Sequence, residues 1–163
     1  MATHLLIDGY NFLKRTGLAS LFDPSDLEGG RRSVLDALSA YKKERAVRIT
    51  VVFDAMGGPS LARQKEGYRG IEVIYSKRGE TADQVMVETI GASRAGLLVV
   101  TSDRAIIDEA KRHGVPFITP SRLEAAMGGA VPEESDAGRA ARKGNPHKAP
   151  KGLRRARKTI RKL

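Results

Sequence analysis

Four aspartates occupy positions where a carboxylate invites chemistry. Asp8 closes the apolar run Leu5-Leu6-Ile7, and Asp54 closes Val51-Val52-Phe53. Asp83 sits in Thr81-Ala82-Asp83-Gln84, and Asp103 in Thr101-Ser102-Asp103-Arg104. Each has an ordinary reading when taken alone. Asp8 and Asp54 suit turns, Asp83 suits the positive end of a helix, and Asp103 suits an N-cap. Gathered in one place, four like charges raise one another's pKa unless cations neutralise them. Mg²⁺ or Mn²⁺, one ion or two, would do so with oxygen ligands. Such ions can hold a phosphodiester, activate water and stabilise a leaving oxygen. A side-chain nucleophile has no setting to act in: the chain lacks Cys, and His4, His113 and His147 are scattered.

The neighbours of these carboxylates suit phosphate chemistry. Asn11, just beyond Asp8, could orient water or meet a phosphate. Thr101 and Ser102 bring hydroxyls beside Asp103, while Lys77, Arg78 and Arg104 bring cations for nucleic-acid phosphates. Tyr10 offers a ring on which a base could stack. A solvated loop is the ordinary alternative for all of these. Asp108 lies further along its helix and is expected to face solvent or a helix partner rather than metal.

Convergence requires a particular set of elements. Strands are expected at Thr3–Asp8, Arg48–Asp54, Ile71–Tyr75, Gly96–Thr101 and Val115–Ile118, the last at an edge because of Pro116. Ser25 and Glu28 have capping-box spacing, although Gly29-Gly30 moves the expected start of a regular helix to about Arg31. Val34, Leu35, Leu38 and Tyr41 follow at helical spacing. Thr81 with Gln84, and Ser121 with Glu124, have the same capping spacing. A helix from about Asp103 to His113 ends at Gly114, and Arg63 to Gly70 reads as a polar loop. Alternating strands and helices with near-continuous apolar strands predict a three-layer α/β fold on a mostly parallel sheet. In such a sheet the C-terminal strand ends share one edge, where ligands bind. All four aspartates then fall on that rim.

Charge divides the chain in two. Eleven of the 29 basic residues and none of the 19 acidic ones lie in 137–163, so this tail carries +11 and the body −1. We therefore expect a domain over 1–128 and, over 129–163, a linker with a basic tail, flexible or conditionally helical. Arg154, Arg155, Arg157 and Lys158 are its candidate RNA contacts. The ribosome is a reasonable structured-RNA partner. No segment approaches a membrane span or a signal peptide, so a soluble, cytoplasmic protein is expected.

The segments "LLIDGYN", "VVFDA", "VIYSKRGETADQVM" and "VVTSDRAIID", in this order, closely resemble the YacP-like branch of the NYN domains, in the PIN-like nuclease superfamily. The likeness runs over roughly residues 3–128 and leaves out the tail. It implies a Rossmann-like parallel sheet and metal-dependent cleavage of RNA. It also implies acidic positions at Asp8, Asp54, Asp83 and Asp103, with Asn11 as the motif asparagine. The expected activity is that of a metal-dependent, endonucleolytic ribonuclease.

Two other readings compete. A non-catalytic RNA- or ribosome-binding module would keep the fold, but gains nothing from four carboxylates facing a polyanion. A phosphorelay receiver would use Asp54 as phospho-acceptor, yet needs an acidic pair after the first strand and a Lys after the fifth. The chain has Asp8-Gly9 and Thr119-Pro120 there.

Overall fold

The computed structural model describes residues 3–55, 60–92 and 95–128. In chain order the elements are β1 (Thr3–Asp8), α1 (Gly9–Arg15), a short 3-10 turn (Gly17–Leu21), α2 (Leu27–Glu44), β2 (Val47–Phe53), β3 (Gln64–Tyr68) and β4 (Ile71–Tyr75). They continue with α3 (Ala82–Gly91), β5 (Leu97–Val100), α4 (Arg104–Arg112), β6 (Phe117–Ile118) and α5 (Pro120–Ala126). The six strands form one sheet in the order β3-β4-β2-β1-β5-β6, parallel except for the β3–β4 hairpin.

Alternation along the strands builds two cores. Leu5, Ile7, Val51, Phe53, Leu98 and Val100 face one side, where α1, α2 and α5 cover them through residues such as Phe12, Leu38 and Leu123. Leu6, Val52, Ile74 and Val99 face the other, where α3 and α4 contribute Val85, Met86, Ile90 and Ile106. This is the three-layer α/β arrangement expected of apolar parallel strands.

β1 lies between β2 and β5. The chain leaves β1 towards β2 on one side, and after β4 it returns to β5 on the other. That reversal is a topological switch point, and it opens a crevice at the C-terminal ends of the strands. Asp8 is the last residue of β1 and so lies at its centre.

Several local expectations are corrected. Arg63–Gly70 is not a loop: it contains β3, which turns back onto β4. β3 is an exposed edge strand, so burial leaves no apolar alternation to read. Its turn places Arg69 and Gly70 at φ 49° and 86°, the left-handed pair of a tight hairpin, without the usual Asn-Gly signature. The cap of α2 is Asp26, which accepts from the Gly29 N–H, and the helix starts at Leu27 rather than near Arg31. Gly30 is used for packing there: a Cβ would come within 2.9 Å of Leu13 and 2.8 Å of Phe22. At α5 the cap is Thr119 with Pro120 in the first turn, not Ser121. The Glu124 carboxylate instead accepts from the Gly17 N–H at 2.9 Å. α1 is an addition to the expected elements. Thr81 and Gln84 do form a reciprocal capping box on α3.

Candidate active site

Each aspartate is delivered by a different element. Asp8 ends β1 and caps α1, its Oδ1 lying 3.5 Å from the Asn11 backbone N–H. Gly9 makes this tight strand-to-helix passage possible, because a Cβ there would lie 2.3 Å from the Phe53 ring. Asp54 follows β2, the neighbouring strand. Asp83 stands in the first turn of α3, fixed by the Thr81 box. Asp103 caps α4 and accepts from the Ala105 and Ile106 N–H groups at 2.9 and 3.3 Å.

Electrostatics record the convergence. Asp8 is only 8 % exposed. Its pKa is pushed up to about 6, first by burial and then by the negative charge of Asp83, with a smaller contribution from Asp103. The Asn11 N–H and the Lys14 ammonium oppose the rise. Asp83 is also raised, by burial and then by Asp103 and Asp54. Asp8, Asp54 and Asp83 line one open cavity of about 730 Å³ together with Asn11.

Asn11 has a more specific task than its place in the sequence suggests. Its Nδ2–H donates to Ser102 Oγ at 2.8 Å, and its Oδ1 accepts from the Ser102 N–H at 2.8 Å. This pair of bonds pins the start of α1 to the loop before α4, and thereby Asp8 to Asp103. Ser102 is thus engaged with Asn11. Thr101 is fully buried, so its assignment to RNA contact is corrected. Its Oγ1 accepts from the Asp103 N–H at 3.0 Å and shapes the same loop. Tyr10 lines the cavity; its ring meets Phe53 edge-on at 5.2 Å and its hydroxyl accepts from Arg31 at 2.8 Å. Lys77, Arg78 and Arg104 are exposed, on the segments leading into α3 and at the start of α4. Arg154, Arg155, Arg157 and Lys158 lie outside the described residues. The lining also includes residues that the sequence reading did not single out for the site, among them Lys14, Phe22, Pro24 and Leu27. Lys14 belongs to the unexpected α1, and its position three residues beyond Asn11 becomes informative only once that helix is known.

Among the described residues, no three His, Cys, Asp or Glu side chains close into a cage for a metal ion. Mg²⁺ does not require one: it keeps several waters and is usually held by one or two carboxylates plus substrate phosphates. The donor set here is carboxylate oxygen, and its mutual repulsion disfavours full ionisation without a cation. These residues therefore fit a hard divalent ion.

An acidic crevice at the switch point of a parallel α/β sheet places the chain among Rossmann-like domains with a carboxylate site. More narrowly, it belongs to the family of YacP-like NYN domains, whose model matches residues 5–161, a span that takes in most of the basic tail. The family is nuclease-like and RNA-related. The fold is similar to that of the crystal structure of Rae1 (YacP) from Bacillus subtilis, with a TM-score of 0.63 and 25 % identity over 88 % of this chain and 81 % of that one. The W164L mutant of the same protein is similar with a TM-score of 0.62 and 24 % identity over 98 % and 95 % of the two chains. Comparison with curated proteins finds no match. Among the described residues, no helix is long and apolar enough to cross a membrane.

Proposed function

We propose that this protein is a metal-dependent endoribonuclease that hydrolyses RNA phosphodiester bonds in the acidic crevice. The observation that carries the reading is the meeting of Asp8, Asp54 and Asp83 on one cavity, with Asp103 close enough to raise the pKa of Asp8 and Asp83. Mg²⁺ or Mn²⁺, as one ion or two, would supply positive charge to the phosphate and acidity to water when bound there. Asp8 and Asp83 would hold it, with Asp54 and Asp103 completing the oxygen donors. Asn11 keeps Asp8 and Asp103 in register through Ser102. Lys14, Lys77, Arg78 and Arg104 would meet flanking phosphates. The basic tail, through Arg154, Arg155, Arg157 and Lys158, would add contacts to structured RNA such as the ribosome in the cytoplasm.

The test is cleavage of end-labelled RNA in Mn²⁺ and in EDTA. Cleavage is expected only with metal, and Asp8→Asn or Asp83→Asn should lower its rate by about 100-fold or more, since metal-borne charge stabilisation is worth several kcal/mol. Undiminished cleavage in both variants would overturn the assignment. RNA that is bound but left intact under every metal condition would mark a binding module, and acetyl-phosphate labelling of Asp54 would mark a receiver.

A further inference from the structure

The cavity has a second wall that the acidic chemistry does not use. Besides the carboxylates it is lined by Phe22 and Pro24, from the connection between the 3-10 turn and α2, by Leu27 at the start of α2, and by Lys14, which contributes an ammonium. Phe22 is held in place by α2: the bare Cα of Gly30 lets the ring approach so closely that a Cβ would lie 2.8 Å from it. The preceding residue, Leu21, is 78 % exposed and so leaves apolar surface uncovered beside this wall.

We propose that this wall is a nucleobase subsite, on which the base of a nucleotide next to the scissile phosphate stacks against Phe22. The inference rests on reading the carboxylate rim as a phosphodiester site. An aromatic and apolar surface, a cation and a group of metal-binding carboxylates share one cavity. A polynucleotide carries the matching sequence, a flat apolar base joined through sugar to an anionic phosphate. A volume of about 730 Å³ falls within the range of small-ligand sites and admits a nucleotide taken out of a base stack. The Asn11 amide is committed to Ser102, so it is not available to read a base edge. Stacking therefore dominates, and the subsite accepts any unstacked base rather than one sequence. Paired RNA keeps its bases in the helix and would be a poorer ligand.

The test uses the full-length protein with Ca²⁺ in place of Mn²⁺, so that the carboxylates are neutralised while binding is read separately from cleavage. Short single-stranded oligoribonucleotides carry fluorescent aminopurine at one position at a time. Quenching is expected at one position. Replacing that nucleotide by an abasic one should weaken binding about fivefold or more, the lower end of base–aromatic stacking. Phe22→Leu, which keeps most of the volume, should produce the same loss, with no further loss on the abasic strand. Phe22→Tyr should restore binding. Absence of quenching at every position, or quenching that survives Phe22→Leu with unchanged affinity, overturns the subsite. So does a dimer in sedimentation that Phe22→Leu dissociates, because a second copy would then cover the wall. Position-specific quenching without Mn²⁺-dependent cleavage would remove the nuclease reading and leave the subsite standing. Cleavage without quenching would do the reverse.

Discussion

Asp8 shows what a single residue contributes to such a site and what it costs the fold. Burial and the facing carboxylates lift its pKa from 3.8 to about 6. The native state therefore holds a proton that the unfolded chain has released, and stability falls as pH rises through that window. Below about pH 4 both states are protonated and the penalty vanishes. Asp8→Asn removes the ionisable group and still caps α1, since Asn is as good a cap as Asp. In metal-free buffer at pH 7 the variant should be more stable than the parent by about 3 kcal/mol. Urea melts from pH 4 to 7 check this, and the difference should shrink to nothing at the acid end. Mg²⁺ or Mn²⁺ should raise the melting temperature of the parent more than that of the variant, because a ligand that binds only the folded state stabilises it. Asn11 makes a separate case at this scale. Asn11→Ala leaves the Ser102 N–H and hydroxyl without their partner, which should cost about 1–3 kcal/mol in chemical denaturation. Cleavage should fall as Asp8 and Asp103 lose their tie. The sequence singles out Asn11 and Ser102 separately, but their positions are 91 residues apart and nothing local announces the bond.

At the scale of elements, the carboxylates are held by junctions. Gly9 joins β1 to α1 beneath Phe53, with room for hydrogen alone. Gly9→Ala should destabilise the domain by about 1–3 kcal/mol, as overpacking does, and should lower cleavage because Asp8 moves with the junction. Circular-dichroism melts and rate measurements on the same preparation test both effects. The Thr81 box does similar work for Asp83. Thr81→Ala should cost about 1 kcal/mol, and Thr81→Ser should recover most of it. Junctions of this kind were partly readable. Thr81 and Gln84 carry a local signal that the backbone obeys, because both partners lie within one helical turn. Ser25 and Ser121 carry a comparable signal and lose to Asp26 and Thr119. In the first case Asp23 draws the Ser25 hydroxyl at 2.7 Å; in the second, Pro120 suits a first-turn position that begins the helix two residues earlier.

Over the whole molecule, charge and topology divide the labour. The body is close to neutral and brings Asp8, Asp54 and Asp83 to one crevice, while 137–163 carries +11. A chain ending at residue 137 should keep its metal-dependent cleavage of short RNA but bind long RNA more weakly. The dependence of log affinity on log salt should flatten by about 0.7 for each single-strand phosphate that the tail no longer neutralises. Titrations at several salt concentrations measure this, and an unchanged slope would exclude the tail from binding. By itself the sequence determined the layer type, the positions of the aspartates at strand ends and helix starts, and the separation of charge. These follow from apolar runs, capping spacing and composition, all of which act over a few residues. The tertiary structure alone decided that β3 is an edge strand, that Asn11 locks Ser102, that Thr101 is buried, and that Phe22 lines the same cavity as the carboxylates. Those facts depend on strand order and on which surfaces meet, and distant segments become neighbours only when the sheet is assembled around β1.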